Sequence, residues 1–167
     1  MASKKITIGV IGGAETTVEM YKVAYDVGRL IAGNGAMLVC GGLSGIMEAA
    51  SKGAFENNGC VVGFLPGEDK SKANPFVHIA IPTGMGIARN VLIIRTSDAL
   101  IAFPGSYGTL SEIAVALNLG KTVVAMPGTW DLKKIAPVDS ALFKEAFDAG
   151  QAVGLALNAL QIKASVR

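Results

Sequence analysis

Four times in this chain a short apolar run stops at a glycine-bearing turn. Lys5 to Ile11 runs into Gly12-Gly13, and Ala36 to Cys40 into Gly41-Gly42-Leu43-Ser44-Gly45. Phe76 to Ile81 runs into Pro82-Thr83-Gly84-Met85-Gly86, and Asp98 to Phe103 into Pro104-Gly105-Ser106-Tyr107-Gly108-Thr109. Three of these turns lead directly into helical patterns. The chain holds 21 glycines in 167 residues. Their grouping after apolar runs indicates tight turns and close backbone approach, not low complexity.

The runs between the turns alternate in type. Thr16-Thr17 offers a cap for a helix over Val18 to Ala32, whose apolar residues recur at helical spacing and which Gly33-Asn34-Gly35 ends. Ile46 to Asn57 predicts a second helix, Cys60 to Leu65 a third strand, and Pro66 to Asn74 a polar loop. A strand over 76–81 and a helix from Gly86 to about Thr96 follow. The fifth strand, 98–103, precedes a helix ending at Gly120, and Thr122 to Met126 is the sixth strand. After Pro127-Gly128 the pattern weakens across 131–148. Phe143 to Phe147 reads as an edge strand or a helical turn, and Ala149 to Ile162 as a terminal helix. Alternating strands and helices with short connections imply a parallel sheet. Continuous apolar strands imply helices on both faces. The expectation is a doubly wound, Rossmann-like α/β fold, with residues 1–167 as one domain.

Composition narrows the function. Hydrophobic residues are 51% and charged residues 17%, which excludes a disordered chain. A net charge of +2 offers no broad basic face, so a nucleic-acid partner is not expected. Cys40 and Cys60 are too few for a disulfide framework and lack metal-ligand spacing. No apolar run reaches membrane-spanning length, and Met1-Ala2-Ser3-Lys4-Lys5 lacks a signal-peptide core. A cytoplasmic protein is the expectation.

Ligands of open parallel sheets bind beyond the carboxyl ends of the strands, where strand order reverses. All four glycine turns lie on that edge. A helix N-terminus presents free N–H groups and partial positive charge, which suit a phosphate. The candidate contacts are Gly12, Gly13, Gly41, Gly42, Ser44, Gly45, Thr83, Gly84, Gly105, Ser106, Tyr107, Gly108 and Thr109. G-x-G-x-x-G is absent from the first turn, no acid follows the second strand, and no G-x-x-x-x-G-K-[ST] occurs. Nicotinamide dehydrogenases and P-loop ATPases are therefore not expected.

Two charged residues stand out. Arg89 falls in the first turn after Gly86, where a cation opposes the helix dipole; it reads as an anion clamp or a surface arginine. Glu112 follows Thr109 by three residues and reads as a ligand contact or as the acid of a T-x-x-E capping box. His78 is read as a packed or exposed strand residue, Cys40 as a buried small hydrophobe, and Glu48 as a dipole partner. Tyr107 could stack on a flat ring, and Glu68 to Lys72 reads as a solvated loop or lid.

Pro104-Gly105-Ser106-Tyr107-Gly108-Thr109-Leu110-Ser111-Glu112 closely resembles the P-G-G-x-G-T-x-x-E motif of the LOG-like proteins, also called lysine decarboxylase-like. Gly41 to Ala50, Gly86-Ile87-Ala88-Arg89-Asn90 and Ser97-Asp98-Ala99 resemble further segments of that family. The resemblance implies one of two activities. Cytokinin-activating members cut the N-glycosidic bond of a nucleoside 5′-monophosphate, and Arg89 and Glu112 match their catalytic arginine and glutamate. Molybdenum cofactor carriers instead bind a phosphorylated pterin and protect it. The chain is similar to this shorter branch, notably through Gly63 to Lys70 and Gly86 to Asn90.

There are two departures from the hydrolase pattern. Arg89-Asn90 stands where those enzymes have Arg-Lys, and Ser106 replaces the second motif glycine. If that position needs φ > 0, serine fits poorly there. The leading expectation is a binding module for the molybdenum cofactor or a nucleotide. Its anion would sit on Gly105 to Thr109, and its ring or second phosphate near Gly12, Gly13 and Gly41 to Gly45. The alternative is a phosphoribohydrolase using Arg89 and Glu112. No resident cofactor or protein-held metal is expected. The resemblance also implies a homo-oligomer, a dimer or tetramer.

Overall fold

The computed structural model describes residues 5–134 and 137–165. Met1 to Lys4, on which the signal-peptide reading rests, lie outside them. The chain forms β1 (Thr7–Ile11), α1 (Val18–Gly33), β2 (Met37–Cys40), α2 (Ile46–Glu56), β3 (Val61–Leu65), β4 (Ile79–Pro82) and α3 (Asn90–Thr96). There follow β5 (Ala99–Ala102), α4 (Tyr107–Asn118), β6 (Thr122–Ala125), β7 (Phe143–Glu145) and α5 (Ala149–Ser165). One seven-stranded sheet runs β4-β3-β2-β1-β5-β6-β7. Every neighbouring pair is parallel. This is the doubly wound Rossmann-like fold that the alternation of runs predicts.

Strand period sorts the core into two layers. Ile8, Val10, Leu38, Cys40 and Ile101 face α1, α2 and α5, where Val27, Ile31, Ala50 and Ala156 cover them. Ile11, Val39, Leu100, Ala102 and Val123 face α3 and α4, where Ile93, Ile94, Ile113 and Ala116 cover them. Order reverses at β1, which pairs β2 on one side and β5 on the other. The crevice at the carboxyl ends of β1 and β5 is therefore where a ligand site belongs.

α1 starts where expected. Thr17 caps it, its Oγ1 accepting from the Met20 N–H at 3.2 Å. α1 and α2 cross with no room between their backbones. A Cβ on Gly28 would fall onto the carbonyl of Ala50, and one on Gly53 onto the carbonyl of Tyr25. Overpacking against backbone cannot be relieved by a rotamer change. Gly28→Ala is expected to cost about 1–3 kcal/mol, read as a lower denaturant midpoint with unchanged slope.

Three elements differ from expectation. The fourth strand starts at Ile79, not Phe76, because Asn74 turns the chain: its Oδ1 accepts from Phe76 N–H at 3.1 Å and its Nδ2 donates to Leu43 O at 2.9 Å. His78 thus precedes the strand, and its Nδ1 accepts from the Val61 N–H at 3.3 Å. The helix expected from Gly86 begins as a 3-10 turn, Gly86–Arg89, before α3. The helix expected from Thr109 begins earlier: Ser106 is its N-cap, so the T-x-x-E capping box does not form. Of the two readings of 143–147, the edge strand holds over Phe143–Glu145.

Candidate functional site

A cavity of about 310 Å³ opens in the crevice between β1 and β5. Gly12, Gly13 and Ala14 from the β1 turn, Gly41 and Leu43 from the β2 turn, and Met47 from α2 form one side. Pro66, Gly86, Ile87, Arg89 and Asn90 approach from the second side, and Ser106, Gly108, Thr109 and Glu112 from α4 close the third. Eight of the expected site residues meet here: Gly12, Gly13, Gly41, Arg89, Ser106, Gly108, Thr109 and Glu112.

Arg89 is 8% exposed and Glu112 6%, so both charges have left bulk water. Arg89 ends the 3-10 turn and starts α3, which carries its side chain inward instead of over a dipole. Gly41 makes the space: a Cβ there would lie 2.7 Å from the guanidinium Nη2. Arg89 Nη1 donates to Asn90 Oδ1 at 2.9 Å and lies 3.8 Å from Glu112 Oε1. Its Nε is shielded from water and has no hydrogen-bond partner among the described residues.

Burial pushes the Glu112 carboxyl up to about 7, with Arg89 pulling weakly the other way. Burial also lowers Arg89 below the usual guanidinium value, opposed by Glu112 and then by Cys40. The separation of 3.8 Å explains this balance. The pair is too far apart for the short charge-assisted bond that would compensate desolvation. Asn90 holds the guanidinium to one side, and its Nδ2 reaches Gly108 O at 3.5 Å and Ser111 Oγ at 3.4 Å. Cys40 is fully buried behind this pair, its thiol pushed up by burial.

The start of α4 faces the same space. Leu110 is the first residue whose N–H reaches back along the helix, to Ser106 O at 3.1 Å. The N–H groups of Tyr107, Gly108 and Thr109 precede that ladder, and Ser106 makes no side-chain cap bond. An uncapped helix start beside a buried arginine can hold an oxyanion. Ser106 has φ −88 and ψ −160, an extended conformation open to any residue. The motif position therefore does not demand glycine. Ser106→Gly is expected to lower stability by less than about 1 kcal/mol, measured by thermal melting.

Seven expected residues do not line the cavity. Gly45, at φ +66, brings the start of α2 against the turn after β1, where a Cβ would lie 2.5 Å from Gly13 O. The Ile46 N–H donates to that same oxygen at 3.1 Å. Gly42 O accepts from Asn74 N–H at 2.8 Å, and Ser44 Oγ donates to Ala14 O at 3.0 Å. Thr83 Oγ1 donates to Leu65 O at 2.7 Å, and Gly84 N–H to Gly67 O at 3.0 Å. Gly105 packs against Thr109, and Tyr107 points outward, 79% exposed. Gly13 lines the cavity, but its N–H is committed to Pro104 O at 2.9 Å. The residues of the glycine turns thus also serve contacts within the chain itself. The loop after β3 is tied down at its start by Gly84 and Gly86 N–H groups, with Asp69 capping a 3-10 turn at Lys70–Lys72, so its first residues are not a free lid.

Leu43, Met47 and Ile87 were not expected in the site. Ile87 is 70% exposed at the mouth, an apolar residue whose only sequence signal is its place between Gly86 and Arg89.

A family model described as the SLOG cluster4 family matches residues 5–155. A molybdenum cofactor binding protein from Rippkaea orientalis is 35% identical, with a TM-score of 0.85 over 99% of this chain and 100% of that one. The molybdenum cofactor carrier protein of Chlamydomonas reinhardtii is 36% identical, with a TM-score of 0.84 over 94% and 99%. A probable cytokinin riboside 5′-monophosphate phosphoribohydrolase of Oryza sativa subsp. japonica is 29% identical over 65% of this chain. That match spans 54% of the rice protein.

Proposed function

The chain belongs to the SLOG cluster4 family, and we propose that it binds a phosphorylated pterin, the molybdenum cofactor, and carries it without transforming it. The observation that bears most weight is the buried Arg89 with its unpartnered Nε beside the uncapped start of α4. Among the described residues neither has an acceptor, and a phosphate offers acceptors suited to both. The likeness to two molybdenum cofactor proteins over nearly their whole length supports the same ligand. The site would hold the phosphate on Arg89 and the N–H groups of Gly108 and Thr109, with the ring toward Gly12 and Gly41. Molybdenum would arrive with the pterin. Among the described residues, no group of three or more His, Cys, Asp or Glu is placed to hold a metal.

A phosphoribohydrolase acting on a nucleoside 5′-monophosphate is the second reading. The raised Glu112 carboxyl favours it, because an acid titrating near neutrality can donate or take a proton. Against it, Glu112 is the sole carboxylate lining the cavity among the described residues, and Asn90 stands where those enzymes have a lysine.

In this proposal the whole chain is one ligand-binding domain, cytoplasmic, and assembled as a dimer or tetramer. Met85, Ile87, Val91 and Tyr107 are exposed apolar residues, of which Ile87 lines the cavity. No described helix is long and apolar enough to cross a membrane.

Expression in a host that makes the molybdenum cofactor tests this reading. The purified protein is expected to release a pterin that fluoresces after oxidation, approaching one per chain. Protein from a host that cannot make the cofactor should release none. A chain that remains free of pterin in both hosts contradicts the proposal.

A further inference from the structure

A second cavity, of about 270 Å³, opens at the carboxyl ends of β6 and β7. Trp130, Phe143 and Phe147 supply its apolar walls, and Asp131 and Glu145 its charged groups. Among the described residues no lysine or arginine lines it, whereas Arg89 lines the first cavity. Its rim is aromatic and exposed. Phe147 is 79% exposed, and Tyr107, equally exposed, has its ring 6.0 Å from that of Trp130. Trp130 is fixed in place, because its Nε1 donates to Gly105 O at 3.0 Å.

The two carboxylates differ. Glu145 Oε2 lies 2.6 Å from Lys133 Nζ. Asp131 Oδ2 lies 3.1 Å from Lys134 Nζ, but Oδ1 is shielded from water and has no hydrogen-bond partner among the described residues. A carboxylate oxygen shut off from both water and protein donors has unused acceptor capacity. Asp131 itself lines the cavity.

We infer that this cavity is a second ligand subsite, taking a planar nitrogen heterocycle with an amino or ring N–H edge. The ring lies against Trp130 and Phe147, and its N–H edge donates to Asp131. Aromatic walls supply stacking area, and one acid accepts from the edge. With two carboxylates and, among the described residues, no cation in its lining, the cavity disfavours a phosphate. The inference goes beyond the carrier reading and does not depend on it, since the ligand needs no phosphate.

Trp130 is the chain's one tryptophan, so its fluorescence reports on this cavity. The probe is isocytosine, a flat ring with an amino group and ring N–H groups. The control is 1,3-dimethyluracil, flat but with no N–H. Isocytosine is expected to change Trp130 emission saturably, at least about tenfold more tightly than dimethyluracil, and Asp131→Ala should weaken it by a similar factor. Phe147→Ala should weaken it as well. Asp131→Ala is expected to melt near the wild-type temperature, since it loses only an exposed pairing with Lys134. Binding should persist in saturating inorganic phosphate. The inference is overturned by no saturable change, by equal response to both probes, by indifference to both substitutions, or by displacement with phosphate. Inorganic phosphate binding that fails while isocytosine binds would count against the anion site alone.

Discussion

Arg89→Ala is expected to weaken binding of any phosphate-bearing ligand by about a hundredfold. Charge-assisted hydrogen bonds contribute about 1.5–3 kcal/mol each, and loss of one strong or two ordinary ones gives that factor. The guanidinium is already desolvated, so a ligand does not have to strip it of water. Its Nε has no other partner, so a bound oxyanion gains a bond without breaking one. Arg89→Lys keeps the charge but not the fork, and should lose about tenfold. Calorimetric titration with AMP as the phosphate-bearing probe measures both. An affinity for AMP that survives Arg89→Ala would place the anion elsewhere.

The second large effect is on pH. Glu112 has a folded value raised to about 7 from an ordinary value of 4.5. The folded state therefore holds a proton that the unfolded state has released across that window. Stability is full below the unfolded value and declines as pH rises from about 4.5 through 7. The decline is at most about 3 kcal/mol for one such group. Glu112→Gln cannot ionise, so its stability should be flat across the same window. Denaturant midpoints at pH 5 and pH 8 check this, the wild type falling and the variant not. Equal slopes in both proteins would mean that Glu112 is ionised throughout.

The same group affects ligand binding. A phosphate beside Glu112 favours its protonated form, which removes a repulsion and adds an O–H donor. Binding of a phosphorylated ligand should therefore take up a proton above neutral pH. Glu112→Gln should abolish that uptake and retain affinity.

Most of the fold was legible because parallel strands buried on both faces are unbroken apolar runs, and the turns between them are marked by glycine. Phe76-Val77-His78 misled because its residues favour strands, whereas Asn74 winds that stretch into a turn. Residue type does not show a side chain capping its own loop. Thr109 was the cap read for α4, and the extended backbone at Ser106 places the cap three residues earlier.

The site was legible in part for a related reason. Arg89 and Glu112 were recognisable as charges next to glycine turns, and the structure brings them to 3.8 Å. Which glycines face a ligand was not legible. Gly12 and Gly41 line the cavity, whereas Gly45 and Gly105 serve contacts between loops, and both uses select the same residue. The second cavity left no sequence signal. It joins Trp130 and Asp131 to Glu145 and Phe147 across a stretch with no periodic pattern.

In the carrier reading the site holds a phosphorylated ligand intact. The most direct test incubates the purified protein with AMP and related monophosphates, following free base and ribose 5-phosphate by chromatography. Binding with no release of base is the predicted result. Release of base by the wild type, abolished in Glu112→Gln, would contradict the claim and make the chain a phosphoribohydrolase.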